Sequence, residues 1–145
     1  MRVRRMKTFE PLPKALALGA IEDNGRYLFH LVTDKYGVTR VDLPYVLVKS
    51  GESIAAKIKE QIHQIIENNV EIGEPIFQVT YNAGTRRKRN FIPAIIFKVE
   101  TFGRIQMKKE KMQEYKWLKL DETKTISKTK ESEWFYKWIN PKTSQ

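Results

Sequence analysis

The sequence predicts an α+β domain: a mixed β-sheet, one central helix and one C-terminal helix. Three observations carry this. Short apolar runs of β type recur along much of the chain, one isoleucine stripe of helical period interrupts them, and an aromatic stripe of the same period lies near the C-terminus.

The first run, Ala15 to Ile21, is short and apolar and reads as a buried strand. Glu22-Asp-Asn-Gly25 follows, and Asn-Gly is the strongest two-residue hairpin signal. Tyr27 to Thr33 is the returning strand. Asp34 to Gly37 breaks the pattern, Val38 to Leu43 resumes it weakly, and Leu43-Pro44 opens a new element with Val46-Leu47-Val48 as a buried strand. Ser50 and Ser53 are candidate N-caps for a helix, with Glu52 near its positive end. Ile54, Ile58, Ile62 and Ile65 recur at spacings of four, four and three, widened by Ala55 and Ile66. Glu60, His63, Gln64 and Glu67 take the other side, and Asn68-Asn69 is the expected stop.

Two long β segments come next, Ile76 to Tyr81 and Phe91 to Glu100, joined by a turn with Asn82-Ala-Gly84 and the run Arg86-Arg-Lys-Arg89. Lys108 to Glu114 reads as a short charged helix and Tyr115 to Leu120 as a half-exposed strand. Trp134, Phe135, Trp138 and Ile139 form the last helical stripe, which Pro141 ends. The expected organisation is a basic arm (1–14), a single domain (15–140) and a short tail (141–145).

Composition narrows the function. The chain has 145 residues, 41% hydrophobic and 30% charged, which fits one globular domain and leaves no room for separate cofactor and substrate halves. It has no cysteine, so disulfides and thiolate metal sites are excluded. No run of about 18 apolar residues is present to span a membrane. The basic start, Met1 to Lys7, is interrupted by Glu10, Pro11 and Pro13 instead of leading into an apolar run, so no secretory signal is expected and the expected location is the cytoplasm.

The net charge is +10, from 27 Lys and Arg against 17 Asp and Glu. Residues 1–14 contribute +4, residues 104–145 contribute +5, and residues 15–103 only +1. Without Arg86 to Arg89 the middle would be negative. Such a balance attracts phosphates or nucleic acid. Arginine favours bidentate phosphate contacts, so Arg86, Arg87, Lys88 and Arg89 are the candidate phosphate-binding residues; the alternative is a solvated hairpin tip. Arg2, Arg4, Arg5 and Lys7 read as a tail. Trp117 and the C-terminal aromatics are candidates for base stacking, but Trp134, Phe135 and Trp138 share a packing stripe, which leaves Tyr136 the freer ring.

Residues Leu43 to Asn68 resemble the Nudix (MutT-like) hydrolases. That family carries a box G-x5-E-x7-R-E-U-x-E-E-x-G-U, with U bulky and apolar, after a Leu-Pro in a strand-loop-helix. Aligned on Glu52, the box places Val46 at the first glycine, Glu60 at the arginine, Gln61 at the next glutamate and Ile62 at the apolar position. Gln64 and Ile65 fall at the paired glutamates, and Glu67 and Asn68 at the last glycine and apolar position. Asn24 to Leu28 looks like the family's first hairpin and Glu114 to Glu122 like its late strand. The likeness covers roughly residues 15–126.

The resemblance implies an α/β/α sandwich and an enzyme that holds Mg²⁺ or Mn²⁺ on glutamates beside a nucleoside diphosphate. Hard cations need charged oxygens. Gln61 and Gln64 offer only neutral amides and Ile65 offers nothing, so the usual metal site should be lost. The expectation is a degenerate box, no cofactor, and retained binding of a nucleotide or other phosphorylated ligand, with Glu52 structural. Two alternatives stay open. One is an active hydrolase, with Mg²⁺ or Mn²⁺, whose ligands are displaced to Glu52, Glu60, His63 and Glu67, with Glu110 or Glu114 as a further carboxylate. The other is a basic RNA- or DNA-binding module. Glu60, His63 and Glu67 are equally read as an ordinary solvated face, and His30 as packed or solvent-facing.

Overall fold

A computed structural model describes residues 12–128. The predicted C-terminal helix and the N-terminal basic residues up to Lys7 lie outside them. Eight strands and one α-helix follow in the order β1 (Pro13–Asp23), β2 (Arg26–Thr33), β3 (Thr39–Asp42), β4 (Tyr45–Lys49), α1 (Ile54–His63), β5 (Val70–Asn82), β6 (Phe91–Thr101), β7 (Tyr115–Leu118) and β8 (Ser127–Lys128).

The apolar run of β1 is the hub. One edge pairs parallel with β6, Leu16 opposite Ala94 through Ile21 opposite Val99. The other pairs antiparallel with β4, Leu18 opposite Tyr45. With β5 antiparallel to β6, this makes a mixed sheet in the order β5-β6-β1-β4. The last residues of β1 turn through Asn24 and Gly25, both at positive φ as the Asn-Gly pair predicts, into β2. Strand β2 then leaves β1 and pairs with β3 and β7, while β8 lies parallel to β3.

Because β1 is covered on both faces, alternate residues feed two cores. Leu16, Leu18 and Ala20 pack with Phe29, Val41, Leu43 and Ile96. Ala15, Ala17 and Ile21 pack with Leu28, Val48 and the helix residues Ile58 and Ile62. Gly19 lets the helix sit this close: a Cβ there would stand 2.8 Å from Ile62 Cδ1.

The helix starts as the sequence predicts. Ser53 is its N-cap, its hydroxyl accepting from Ala56 N at 3.3 Å. It ends at His63, five residues before Asn68. Ile65 and Ile66 are drawn out of the helix by tertiary pairing: Ile66 bridges to Met107, and Lys108 N donates to Ile65 O. Asn68 completes the junction, giving its side-chain N–H groups to Phe102 O and Arg104 O and accepting from Gln106 N. Two other expectations are also shifted. The charged segment before β7 is a 3₁₀ turn over Lys109–Lys111, β7 stops at Leu118, and a second 3₁₀ turn covers Leu120–Thr123.

Candidate functional site

Two cross-strand neighbours flank His30 on β2. Asp42 of β3 is opposite it on one side and Tyr115 of β7 on the other. The rings of His30 and Tyr115 stack, with centroids 4.7 Å apart and planes inclined by 25°. Above them come the Leu43-Pro44-Tyr45 bend, held to β1 by Gly19 N donating to Pro44 O at 2.9 Å, and Gln61 from α1. These residues, His30, Leu43, Pro44, Tyr45, Gln61 and Tyr115, enclose a cleft of about 250 Å³. Asp42, 2% exposed, lies close enough to act on the Tyr115 hydroxyl. Burial first, then Glu114, Asp42 and Tyr45, push the pKa of that hydroxyl up to about 12. Tyr115 is therefore a hydrogen-bond donor at every physiological pH.

Of the residues aligned with the box, only Gln61 lines this cleft. Gln64 is exposed, and Ile65 is 1% exposed in the core beside the helix. Glu52 is committed to the loop. Its Oε1 accepts from Lys49 N at 2.8 Å, and its Oε2 lies 3.5 Å from Lys57 Nζ. The Lys49 N–H bond is the main cause holding its carboxyl below the usual range, with Lys57 adding to it. Lys57 Nζ also lies 3.8 Å from Glu60 Oε2, so one ammonium serves both carboxylates. With the helix over at His63, the spacing that would align Glu67 with Glu60 and His63 on one face is not realised.

The described residues do not fit the Mg²⁺ or Mn²⁺ that a Nudix hydrolase would use. Among the described residues no three His, Asp or Glu side chains come together as a metal site needs. Glu110 is exposed in the 3₁₀ turn, and Glu114 pairs with Lys111 at 3.8 Å.

Arg86 to Arg89 are brought to a different place. Leu18 is opposite both Tyr45 and Ile96, which sets the level of the cleft on the sheet. Phe91 is five strand residues before Ile96, so the hairpin tip begins about 17 Å along the strand from that level. A larger hollow, about 530 Å³, lies at the opposite end of the sheet between Glu22, Tyr27, Ile76, Lys98, Glu100 and Phe102. It touches neither the helix nor any aligned residue, and burial and the Glu22 hydrogen bond raise the pKa of its Tyr27 hydroxyl.

The sequence alone gives His30 no role beyond packing or solvation, and it does not mark Asp42, Tyr45 or Tyr115. They lie on three strands and a bend far apart in the chain, so no local spacing joins them. A signal exists only in the pairing: a histidine on a central strand, with an acid and a tyrosine opposite.

No family model matches the chain, and no curated protein sequence does. Solved structures do. The E. coli ORF135 protein superposes with a TM-score of 0.66 at 14% identity, covering 94% of this chain and 98% of that one. The MutT protein of Methanosarcina mazei Go1 gives 0.62 at 16% identity, covering 95% and 100%. The Nudix domain of Shewanella oneidensis NrtR, complexed with ADP ribose, gives 0.56 at 10% identity, covering 98% and 94%. Identity this low speaks for architecture alone, here a mixed sheet with its helix. The chain has the fold of the Nudix hydrolases.

Proposed function

We propose that this Nudix-fold chain has a degenerate box and binds a nucleotide or related phosphorylated small molecule without hydrolysing it by the family's metal-dependent route. The observation that carries the reading is the position of Gln61. It is the aligned residue that faces the cleft, and it brings a neutral amide where a hard cation would need a carboxylate. The other candidates are spent elsewhere. Ile65 packs in the core, and Glu52 and Glu60 share Lys57.

The cleft suits one ring of such a ligand. Its volume of about 250 Å³ is at the small end for ligand sites. Its walls offer the Tyr45 and Tyr115 rings, the Gln61 amide and a Tyr115 hydroxyl that stays protonated. No lysine or arginine lines it, so the phosphates belong outside, toward solvent. A cytoplasmic location goes with this reading.

Calorimetric titration with ADP-ribose, which the similar NrtR domain holds, tests it. Binding should persist with the metal chelated and weaken at least tenfold in Gln61→Ala and Tyr115→Ala. Mg²⁺- or Mn²⁺-dependent turnover of ADP-ribose or another nucleoside diphosphate derivative, lost on Glu52→Gln or Glu114→Gln, would overturn it in favour of an active hydrolase.

A further inference from the structure

The mixed sheet is electrically polarised along its strands. At one end are Glu22 and Asp23 of β1, Glu71 and Glu74 of β5 and Glu100 of β6, all exposed, where they outnumber the exposed cations Arg26, opposite Asp23, and Lys98. The register fixes their common position, with Glu71 opposite Glu100 and Ile21 opposite Val99. At the other end the β5–β6 hairpin carries Arg86, Arg87, Lys88 and Arg89, all exposed and without an acid between Thr85 and Phe91. None of the four has a carboxylate partner among the described residues. Lys49, opposite Pro13, and Lys14 lie at the same end. Glu52 lies there too, but its charge is taken by Lys57.

The tip that holds these cations is structured. Asn82 Oδ1 accepts from both Gly84 N and Asn90 N, its amide donates to Thr85 O, and Thr85 and Lys88 close the turn with two further bonds. The ordered backbone of the tip presents four guanidinium and ammonium groups together, so the loop itself need not be ordered on binding. Two residues past Arg89, after Asn90, comes Phe91, with 60% of its surface exposed. An uncovered aromatic ring beside unpaired arginines offers a stacking surface and phosphate contacts together.

We propose that this pole, formed by Arg86, Arg87, Lys88, Arg89 and Phe91, binds single-stranded nucleic acid, separately from the cleft at Gln61. Phe91 selects the single strand over other polyanions, because only unpaired bases present a free face to it. The acidic far end orients the approach by repelling the same partner.

The test is fluorescence anisotropy of a labelled single-stranded DNA of about 16 nucleotides, a length that spans such sites, over a salt series. The full chain should bind, with affinity falling steeply as salt rises. Substituting Arg86, Arg87 and Arg89 together by alanine should weaken binding about tenfold or more at low salt. It should also lower the log–log salt slope by about 2, near 0.7 for each phosphate that is no longer neutralised. Phe91→Ala should cost about fivefold or more while leaving that slope unchanged, and Phe91→Trp should restore binding. These positions are exposed, so circular dichroism melts should match the parent, and Arg→Lys at the three positions keeps the charge as a second check. Unchanged binding in both variants, binding to the duplex as tight as to the single strand, or preference for phosphatidylserine vesicles over the oligonucleotide would each overturn the proposal.

Discussion

Gln61 of the helix and Tyr115 of β7 face each other across one cleft, although 54 positions separate them in the sequence. Around that pair the helix positions that resemble a metal-binding box have been divided among three tasks: Gln61 lines the cleft, Ile65 packs, and Glu52 pins the loop before the helix.

The packing task makes the first prediction. Ile65→Glu would restore the acid expected from the resemblance, but at a site 1% exposed in the core. A carboxylate with no partner there should destabilise the fold by about 3–5 kcal/mol. Urea denaturation measures it, and a loss below about 1 kcal/mol would mean that the position opens to solvent.

Tyr115 should report its surroundings by alkaline titration. Its hydroxyl titrates at about 12 in the folded chain against an ordinary value of 10.0. A raised value means the folded state holds the proton more tightly. The associated stability is complete below pH 10 and is lost as pH rises from 10 to about 12. Tyrosinate absorbance should show this late step and Tyr115→Phe should remove it; a step near 10 in its place would show an open ring.

For Glu52 the sign is reversed. Its carboxyl is held below 4.5 by Lys49 N and then by Lys57. The folded form therefore favours the charged state, and that stabilisation is present above about pH 4.5 and fades as pH falls through the lowered value. Glu52→Gln should lower Tm at neutral pH, and the gap to the parent should close in acid. A gap that stays constant down to pH 3 would exclude this role.

Helix placement depends on Gly19. A methyl there would meet Ile62 Cδ1 at 2.8 Å and Val99 Cγ2 at 3.2 Å. Gly19→Val should destabilise by about 1–3 kcal/mol through overpacking. Gly19→Ala should cost less, since the Ile62 contact is the end of a side chain, and Ile62→Val should recover part of that loss. Additive effects in the double-mutant cycle would refute direct contact.

Local chemistry makes several elements legible. Asn24-Gly25 announces its hairpin because few residues other than Asn and Gly accept positive φ at low cost. The continuous apolar run of β1 announces a buried strand. Ser53 and the isoleucine stripe announce the helix, and the Leu-Pro bend with Glu52 announces the Nudix-like order of elements. The helix stop is not legible. Asn68 is a fair terminator in isolation, yet the real stop goes with Gln106 and Lys108, residues about 40 positions away whose backbone bonds to Glu67 N and Ile65 O.

The sequence by itself determined the strands, the helix start and the family of folds they suggest, because propensities, caps and hydrophobic period act between near neighbours. Only the tertiary structure decided that His30, Tyr45, Gln61 and Tyr115 meet around one cleft. It alone put the arginine run at the far end of the sheet from the acids. Both outcomes depend on which strands pair and in what register, and register is settled by long-range packing on β1 that no window of the sequence contains.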